Sequence, residues 1–194
     1  MAQSGNHSEQ EQPKAAGEPL SPEANAAFLR RLRKGDEAAY HELVDRFSQP
    51  LFRIAYSMVG NSADAEDVVQ ETFTAAFAGL ERFRGESSLK TWLVQILVRQ
   101  SARLQRSRSR RRTMRIDASE PAVVDSAMAA DSKMDVTEML QTLSPEHREV
   151  IVLRELQSMS YEEMSETLKI PRGTVESRLH RARSELRQKF GDRI

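Results

Sequence analysis

The stretch that most constrains this chain is SYEEMSETLKIPRGTVESRLHRARSEL, from Ser160 to Leu186. Ser160 followed by Glu163 is a capping box, so the spacing predicts a helix from Tyr161 to about Leu168. Pro171 prevents that helix from continuing and suits the first turn of the next one. Because two helices joined by so short a turn must cross steeply, the stretch predicts a helix-turn-helix unit.

The second helix of this stretch has one apolar face and one basic, polar face. Successive residues of a helix are rotated by about 100°, which places four apolar residues on one narrow strip: Val175, Leu179, Ala182 and Leu186. We expect this apolar strip to pack on the earlier helices. The opposite side carries Ser177, His180, Arg181 and Ser184, flanked by Thr174 and Arg178 and by Glu176 and Arg183. Such a surface can donate hydrogen bonds to base edges in a DNA major groove. A charged helix that is merely solvated is the alternative, and the tight turn favours DNA binding.

The whole chain is predicted to be all-α. Its 194 residues include only eight glycines and 6% aromatic residues, which suits helices better than sheets. The absence of cysteine excludes disulfides and thiolate metal sites, and the four histidines are too scattered to suggest a zinc site. We therefore expect no metal and no cofactor.

The chain is predicted to contain two small helical domains joined by a flexible linker. Residues 1–24 are polar and predicted to be a disordered tail, 25–112 a first domain, 113–135 the linker and 136–194 a second domain. No apolar run is long enough to span a bilayer, and the N-terminus lacks the apolar core of a signal peptide, so we expect a cytoplasmic protein.

The first domain shows apolar residues at helical spacing from Phe28 onward, with Gly35 and Pro50 predicted to separate short helices. Asn61 or Ser62 is expected to cap the next helix. The buried stripe of that helix is predicted to comprise Val68, Val69, Thr72, Phe73, Ala76, Phe77 and Leu80. In the following helix, the residues predicted to face inward are Leu89, Trp92, Leu93, Ile96 and Leu97.

Charge is distributed unevenly although the 29 basic and 29 acidic residues cancel. The helix DAEDVVQETF presents acids away from its buried stripe, which indicates either a protein-docking surface or an ordinary wet surface. The helix after it carries arginines into RSRSRRR, which is typical of a contact with a polyanion, with a solvated helix end as the alternative. Trp92 beside this track can stack on unpaired bases, although its place in the apolar stripe favours a role in the core.

Five motifs in series strongly resemble the extracytoplasmic-function (ECF) group of bacterial sigma factors: GDEAAYHELVDRF, DAEDVVQETF, FRGESSLKTWLVQI, LSPEHREVIVLRE and SYEEMSETLKIPRGTVESRLHRAR. The resemblance covers about Ala26 to Phe190 and implies a non-enzymatic protein that directs core RNA polymerase to promoters. It also implies a cognate anti-sigma factor. In such a protein the acidic helix docks on the beta-prime clamp helices of core polymerase, whose beta flap is a further expected contact. The docking role would fall to Asp64, Glu66, Asp67, Gln70 and Glu71.

The resemblance implies two DNA-binding surfaces as well. The first domain would capture the melted minus-ten element and flip a base, through Arg84, Glu86, Ser87, Ser88, Lys90, Thr91, Trp92, Gln95, Arg99, Gln100 and Arg103. The second domain would contact the minus-thirty-five element through Arg172, Thr174, Ser177, Arg178, His180 and Arg181. Flipping a base costs a few kcal/mol of stacking, which the protein must replace, and it requires no catalytic residue.

Several residues depart from the family pattern. Lys169 stands where glycine is usual, which costs roughly 0.5 to 1 kcal/mol if a left-handed conformation is required. Ser165 replaces the usual alanine between the two helices. Gln100 and Glu176 depart from the residues common at their positions and leave the promoter sequence open.

Two other functions remain as alternatives. A regulator that binds duplex operators as a dimer would sense a signal through its first domain, but the chain shows no ligand-pocket signature and has the acidic helix. A nucleic-acid-processing enzyme would need a phosphate loop, a metal cluster or a nucleophile with its base, none of which the sequence shows at recognisable spacing.

Overall fold

The computed structural model describes residues 22–85, 87–114 and 136–191. Within those ranges every regular element is helical, so the all-α prediction is confirmed. The α-helices are α1 (Pro22–Arg33), α2 (Glu37–Val59), α3 (Ser62–Gly79), α4 (Leu89–Met114), α5 (Val136–Gln141), α6 (Pro145–Ile151), α7 (Tyr161–Leu168) and α8 (Arg172–Phe190). A 3₁₀ turn (Leu80–Arg82) follows α3, and a π-helical turn (Val152–Leu156) follows α6.

The chain forms two compact units, one ending at Phe47 and the other starting at Ser48. The first unit holds α1 and the beginning of α2. Helix α1 starts at Pro22, inside the segment predicted to be the tail, with Glu23 in its first turn. Gly35, with φ of +74°, follows α1 as the sequence predicts. Asp36 then caps α2 by accepting a hydrogen bond from the Ala39 N–H at 3.3 Å.

The prediction of a helix end at Pro50 is wrong, because α2 continues through this proline to Val59. A proline inside a helix removes one donor and crowds the carbonyl four residues earlier. The apolar residues that follow it, Leu51 and Ile54, are buried. Their burial offsets the local cost and keeps the helix intact.

Helices α3 and α4 pack against each other in the second unit. Asn61 caps α3 by accepting a hydrogen bond from the Asp64 N–H at 3.0 Å, which confirms one of the two predicted caps. Most of the predicted stripe of α3 is buried, but Val69 is only half-buried and Phe77 is exposed. Phe77 lies near the C-terminus of α3, where its ring contacts Phe73 at 6.2 Å between centroids. Local periodicity predicted its burial wrongly.

The C-terminal helices begin at the predicted signals. Ser144 caps α6, with Pro145 at the first helical position. Ser160 and Glu163 form both hydrogen bonds of the capping box, at 3.2 and 2.8 Å, and α7 runs from Tyr161 to Leu168. Pro171 is the N-cap of α8, one position earlier than the sequence indicates. The predicted apolar strip of α8 is buried: Val175, Leu179, Ala182 and Leu186.

The turn between α7 and α8 has a left-handed residue at Lys169, with φ of 57° and ψ of 41°. Lys169 therefore adopts the left-handed conformation in which glycine is favoured, so the cost of roughly 0.5 to 1 kcal/mol expected for a lysine here applies. The Ser165 carbonyl accepts hydrogen bonds from the Lys169 and Ile170 N–H groups. The Ser165 hydroxyl donates to the Ile170 carbonyl at 2.6 Å, which adds a bond that alanine would lack.

Two predicted segments lie largely outside the described residues. They are the tail up to residue 21 and the linker from residue 115 to 135. Helix α4 extends to Met114, so its backbone enters the first two positions assigned to the linker.

Candidate functional site

The first candidate surface is the acidic side of α3. Glu66, Asp67, Gln70 and Glu71 are all exposed and, at this spacing, share one side of the helix. Asp64 differs from them, because it is only 6% exposed. Its carboxylate accepts a hydrogen bond from the Asn61 amide at 2.7 Å and pairs with Arg108 of α4.

The four exposed residues carry no ion pair within the described part of the chain. A partner with basic groups therefore meets carboxylates that do not first have to leave an internal partner. Asp64 instead joins the start of α3 to the basic end of α4. The family resemblance assigned Asp64 to the docking residues, because the sequence alone does not show that the Asp64 side chain is buried.

The second candidate surface surrounds Trp92 near the start of α4. Ser88 caps this helix by accepting a hydrogen bond from the Thr91 N–H at 3.0 Å. Trp92 is half-buried and its ring lies 4.7 Å from that of Phe83, centroid to centroid. The indole packs over Gly79, where a Cβ would lie 3.5 Å from a ring carbon, an ordinary van der Waals distance. Trp92 thus combines a packed ring with an accessible edge.

A cleft of about 280 Å³ lies between α3 and α4 beside this tryptophan. It brings together three residues predicted from the sequence: Trp92, Arg99 and Gln100. Arg82, in the 3₁₀ turn, also lines the cleft and was not predicted. The turn at the end of α3 brings Arg82 to the cleft, and no local sequence pattern marks Arg82 as a site residue.

The other predicted minus-ten residues are not part of this cleft. Arg84, Ser88, Lys90 and Arg103 are exposed, while Ser87, Thr91 and Gln95 are half-buried. Glu86 lies outside the described residues. Arg84, Lys90 and Arg103 lie close in sequence to the residues that line the cleft. Their exposed positive charges suit contact with a phosphate backbone.

The third candidate surface is the outer face of α8. Ser177, His180 and Arg181 are exposed, whereas Thr174 and Arg178 are half-buried. Arg172, at the start of the helix, donates to the Glu176 carboxylate at 2.9 Å and also pairs with Glu162 of α7. The hydrogen bond to Glu176 and the nearby charge of Glu162 raise the pKa of the Arg172 guanidinium.

Arg172 is therefore held by two carboxylates before any nucleic acid arrives. Its guanidinium also lies 5.9 Å from the centre of the Tyr161 ring, and Arg154 lies 5.3 Å from the same ring. This arrangement places the Arg172 charge at the edge of the helix-turn-helix turn. It also gives Glu176, which departs from the family pattern, a definite contact.

Charged groups of α6 are buried behind this outer face. Arg148 is 8% exposed and Glu149 is 9% exposed. Burial raises the pKa of the Glu149 carboxyl to about 7, although the positive charges of Arg178, Arg106 and Arg148 act in the opposite direction. Burial likewise lowers the pKa of Arg148. No local pattern in the sequence marks either residue as buried.

Within the described residues no helix combines the length and apolar character that a membrane crossing requires.

Two family models match this chain. Residues 43–111 match Sigma-70 region 2, and residues 133–186 match Sigma-70 region 4. The ECF RNA polymerase sigma-E factor of Escherichia coli (strain K12) is 32% identical over 176 residues, which cover 84% of this chain and 92% of that protein. The ECF RNA polymerase sigma factor SigW of Bacillus subtilis (strain 168) is 28% identical over 180 residues, covering 84% and 95%.

Two solved structures resemble the fold. The sigma factor RpoE from Bartonella quintana, in complex with the anti-sigma factor NepR, has a TM-score of 0.65 at 27% identity, covering 80% of this chain and 98% of that chain. CnrH, in complex with the cytosolic domain of CnrY, has a TM-score of 0.63 at 27% identity, covering 88% and 99%.

Proposed function

Because the chain belongs to the ECF group of RNA polymerase sigma factors, which are transcription initiation factors and not enzymes, we propose a division of labour among its three surfaces. The acidic side of α3 binds core polymerase, the cleft beside Trp92 holds melted promoter DNA, and the outer face of α8 binds duplex DNA. The domain ranges follow the same division: 25–112 for polymerase and minus-ten DNA, and 136–194 for minus-thirty-five DNA.

Polymerase docking rests on Glu66, Asp67, Gln70 and Glu71. Their exposure supports this role, as does the lack of ion pairs to them within the described residues, because a basic partner then gains their charge without breaking any of the described ion pairs. Asp64 contributes indirectly, since its bonds to Asn61 and Arg108 fix the start of α3. The occupant of this surface is the clamp helices of the beta-prime subunit.

Minus-ten binding rests on the cleft between α3 and α4. An extruded base finds there an aromatic edge in Trp92, hydrogen-bonding groups in Gln100, and positive charge in Arg82 and Arg99. Among the remaining predicted residues of this surface, the exposed cations Arg84, Lys90 and Arg103 hold the phosphate backbone of the melted strand around the cleft. No bond is made or broken in the substrate.

Minus-thirty-five binding rests on α8. Ser177, His180 and Arg181 are exposed on the face opposite the buried strip and can meet base edges, while Arg172 and Arg178 are better placed for phosphates. Arg172 must exchange at least one of its two carboxylate partners for DNA. Its contribution therefore depends on salt and on the competing acids.

We also place the protein in the cytoplasm and under the control of an anti-sigma factor. The resemblance to RpoE, whose solved structure contains the anti-sigma factor NepR, supports such control. An inhibitor that covers α3 or the α4 cleft would block polymerase or promoter binding.

The observation that carries this proposal is the exposed acidic side of α3, whose Glu66, Asp67 and Glu71 form no ion pair within the described ranges, in a chain whose α4 and α8 are basic. Run-off transcription with purified core polymerase on a promoter library tests it, comparing the parent protein with the double variant Asp67→Ala and Gln70→Ala. Loss of two central docking contacts should weaken specific transcripts at least tenfold. A matched control replaces Asp45 and Gln49, an exposed acid and amide on α2, and should transcribe like the parent.

The upstream sequences shared by the transcripts would identify what α8 recognises. Transcription that is unchanged in the double variant would rule out docking through α3. Absence of any transcript, together with tight binding of the free protein to duplex operators, would favour the dimeric regulator instead.

A further inference from the structure

A second cleft, of about 470 Å³, lies between α4, α6 and α7. Sites for small molecules usually have volumes of about 300–1,000 Å³, so this cleft is large enough for a nucleotide-sized ligand. Part of its lining is apolar and consists of Val98, Ala102, Pro145 and Leu168. Such side chains can pack against a flat ring, and the remaining lining residues are polar or charged.

Three cations line this cleft. Arg99 and Arg106 are seven residues apart on α4, which places them on the same side of the helix, about 10 Å apart along its axis. Lys169, at the end of α7, is the third. All three side chains are exposed and form no ion pair within the described residues. The exposed acid Glu146 also lines the cleft, so the exposed part of the lining remains basic.

The Arg106 side chain is already held in one orientation. Its Nε donates a hydrogen bond to the Ala102 carbonyl at 3.2 Å. That bond uses one of the five donors of the guanidinium and leaves the two terminal amino groups for a ligand. A planar guanidinium can bind a phosphate through two parallel hydrogen bonds. Arg106 is therefore the lining residue best prepared to bind a phosphate.

Glu149 is the buried acid of this cleft. It is 9% exposed, and its carboxyl forms no hydrogen bond or ion pair within the part of the chain that the structure describes. Buried polar groups nearly always have a hydrogen-bond partner, because burial without one is costly. Burial raises the pKa of this carboxyl to about 7, as expected where no donor stabilises the charged form. A ligand that brings N–H donors would supply the missing partner.

These groups together select among anionic ligands. Inorganic phosphate would meet the cations but would be repelled by the Glu149 carboxylate. A guanine base presents two adjacent donors, N1–H and the N2 amino group, which match the two oxygens of a carboxylate. An adenine base places a ring acceptor beside its amino group and can offer only one such bond. A guanine ring with phosphates attached therefore uses the apolar lining, the carboxyl and the cations at the same time.

Arg99 connects this cleft with the proposed DNA surface of α4. It lines both this cleft and the one beside Trp92. A guanidinium that is bound to the phosphate of a nucleotide is not available to hold a melted DNA strand. The two ligands therefore compete, and each lowers the affinity for the other by the same factor.

We propose that the cleft between α4, α6 and α7 is a binding site for a guanine nucleotide, and that the nucleotide lowers transcription by taking Arg99 from the minus-ten strand. Glu149 binds the base, while Arg99, Arg106 and Lys169 bind the phosphates. The binding site follows from the lining of the cleft, whereas the effect on transcription rests on the proposed promoter function. No bond is made or broken in the nucleotide.

Isothermal titration calorimetry of the full-length protein with guanosine diphosphate (GDP) tests the site. At pH 8 the Glu149 carboxyl, with a pKa of about 7, is mostly ionised and can accept both hydrogen bonds. Adenosine diphosphate (ADP) tests recognition of the base, and inorganic pyrophosphate tests charge alone. We expect saturable one-to-one binding of GDP, about tenfold tighter than that of ADP or pyrophosphate, because each of these loses a hydrogen bond to a buried charge.

Two variants separate the contributions of base and phosphate. Glu149→Gln replaces one acceptor with a donor, so it should weaken GDP binding about tenfold and leave ADP binding nearly unchanged. Arg106→Met should weaken the binding of both nucleotides about tenfold, because it removes a phosphate contact. Arg110→Met makes the same change at an exposed position of α4 outside the cleft and should bind like the parent. Circular dichroism would verify that each variant is folded.

Run-off transcription tests the competition for Arg99. GDP lacks the third phosphate that RNA synthesis requires, so it is not itself incorporated. Added GDP should reduce the specific transcripts of the parent and of Arg110→Met several-fold, each relative to its own yield without GDP. Transcripts of Arg106→Met should fall far less at the same GDP concentration.

Absence of saturable GDP binding would overturn the proposed site, and so would equal affinities for GDP, ADP and pyrophosphate. Equal inhibition of the parent and of Arg106→Met by GDP would overturn the competition for Arg99. If the parent produced no transcript even without GDP, the promoter function itself would fail. That failure is distinguishable, because the calorimetric measurements involve no polymerase and no promoter.

Discussion

Helices α6 and α8 use charged residues in opposite ways. On α6, Arg148 and Glu149 are buried, and the arginine donates to backbone carbonyls of other elements. On α8, Arg172 and Arg181 are exposed, and the ion pairs of Arg172 are with the surface carboxylates of Glu162 and Glu176. The buried charges determine how the helices pack, whereas the exposed charges remain available to a partner. Charge in the sequence therefore does not identify binding residues until burial is known.

The largest expected effect comes from removing the buried guanidinium. Arg148→Met should lower the free energy of unfolding by about 3 kcal/mol, because it removes four hydrogen bonds to carbonyls and leaves some of them without a donor. Urea denaturation measures the change. Arg181→Met, the same substitution on the outer face of α8, should change the free energy of unfolding by less than about 0.5 kcal/mol. Equal effects of the two variants would break the distinction between the helices.

A smaller, pH-dependent effect is expected at Glu149. Burial raises its pKa from an ordinary value of 4.5 to about 7, so the folded protein keeps this proton at pH values where the unfolded chain has lost it. The contribution of Glu149 to stability is therefore greatest below about pH 4.5, falls as the pH rises to about 7, and is constant above that. Glu149→Gln should stabilise the protein by about 2 kcal/mol more at pH 8 than at pH 5.

Urea denaturation at the two pH values measures this difference. Glu146→Gln, an exposed position on the same helix, provides the control and should show little pH dependence. If Glu149→Gln shifts stability equally at both values, the Glu149 carboxylate is not desolvated in the folded protein.

The smallest effect is expected at the surface of α8. Glu176→Gln removes one of the two carboxylates that hold Arg172, so holoenzyme should bind promoter DNA about twofold tighter, with unchanged unfolding. Binding measured as a function of salt concentration tests this. Glu166→Gln, an exposed position on α7, should leave DNA affinity unchanged. A loss of affinity in Glu176→Gln would mean that Glu176 itself contacts the DNA or orients Arg172 for it.

The local signals in the sequence predicted the starts of helices well. Asn61, Ser144 and Ser160 act within three residues of their own positions, so their hydrogen bonds depend little on the rest of the fold. The left-handed conformation suspected at Lys169 is equally local. The family resemblance supplied the functional residues, which no periodicity would have separated from an ordinary charged surface.

Features that depend on distant contacts were missed. Arg148 and Glu149 lie in REVIVLREL, where a charged pair stands on each side of an apolar run and gives no sign of burial. The opposite error occurred at Phe77, whose spacing indicated the core but which is 36% exposed. Pro50 was predicted to end a helix because its local cost is known, whereas the burial that offsets this cost is a tertiary effect.

Helix α7 adjoins strained backbone at both ends. Ser158, two residues before its cap, and Lys169, just after it, are the non-glycine residues with positive φ in the described ranges. Eight residues are too few for a helix that is stable alone, so α7 depends on its packing against α8 and its other neighbours. Its amides should accordingly be among the first in the second unit to exchange with deuterium, through local melting that leaves the longer α8 intact. We therefore expect the helix that positions α8 to open as a small, separate foldon.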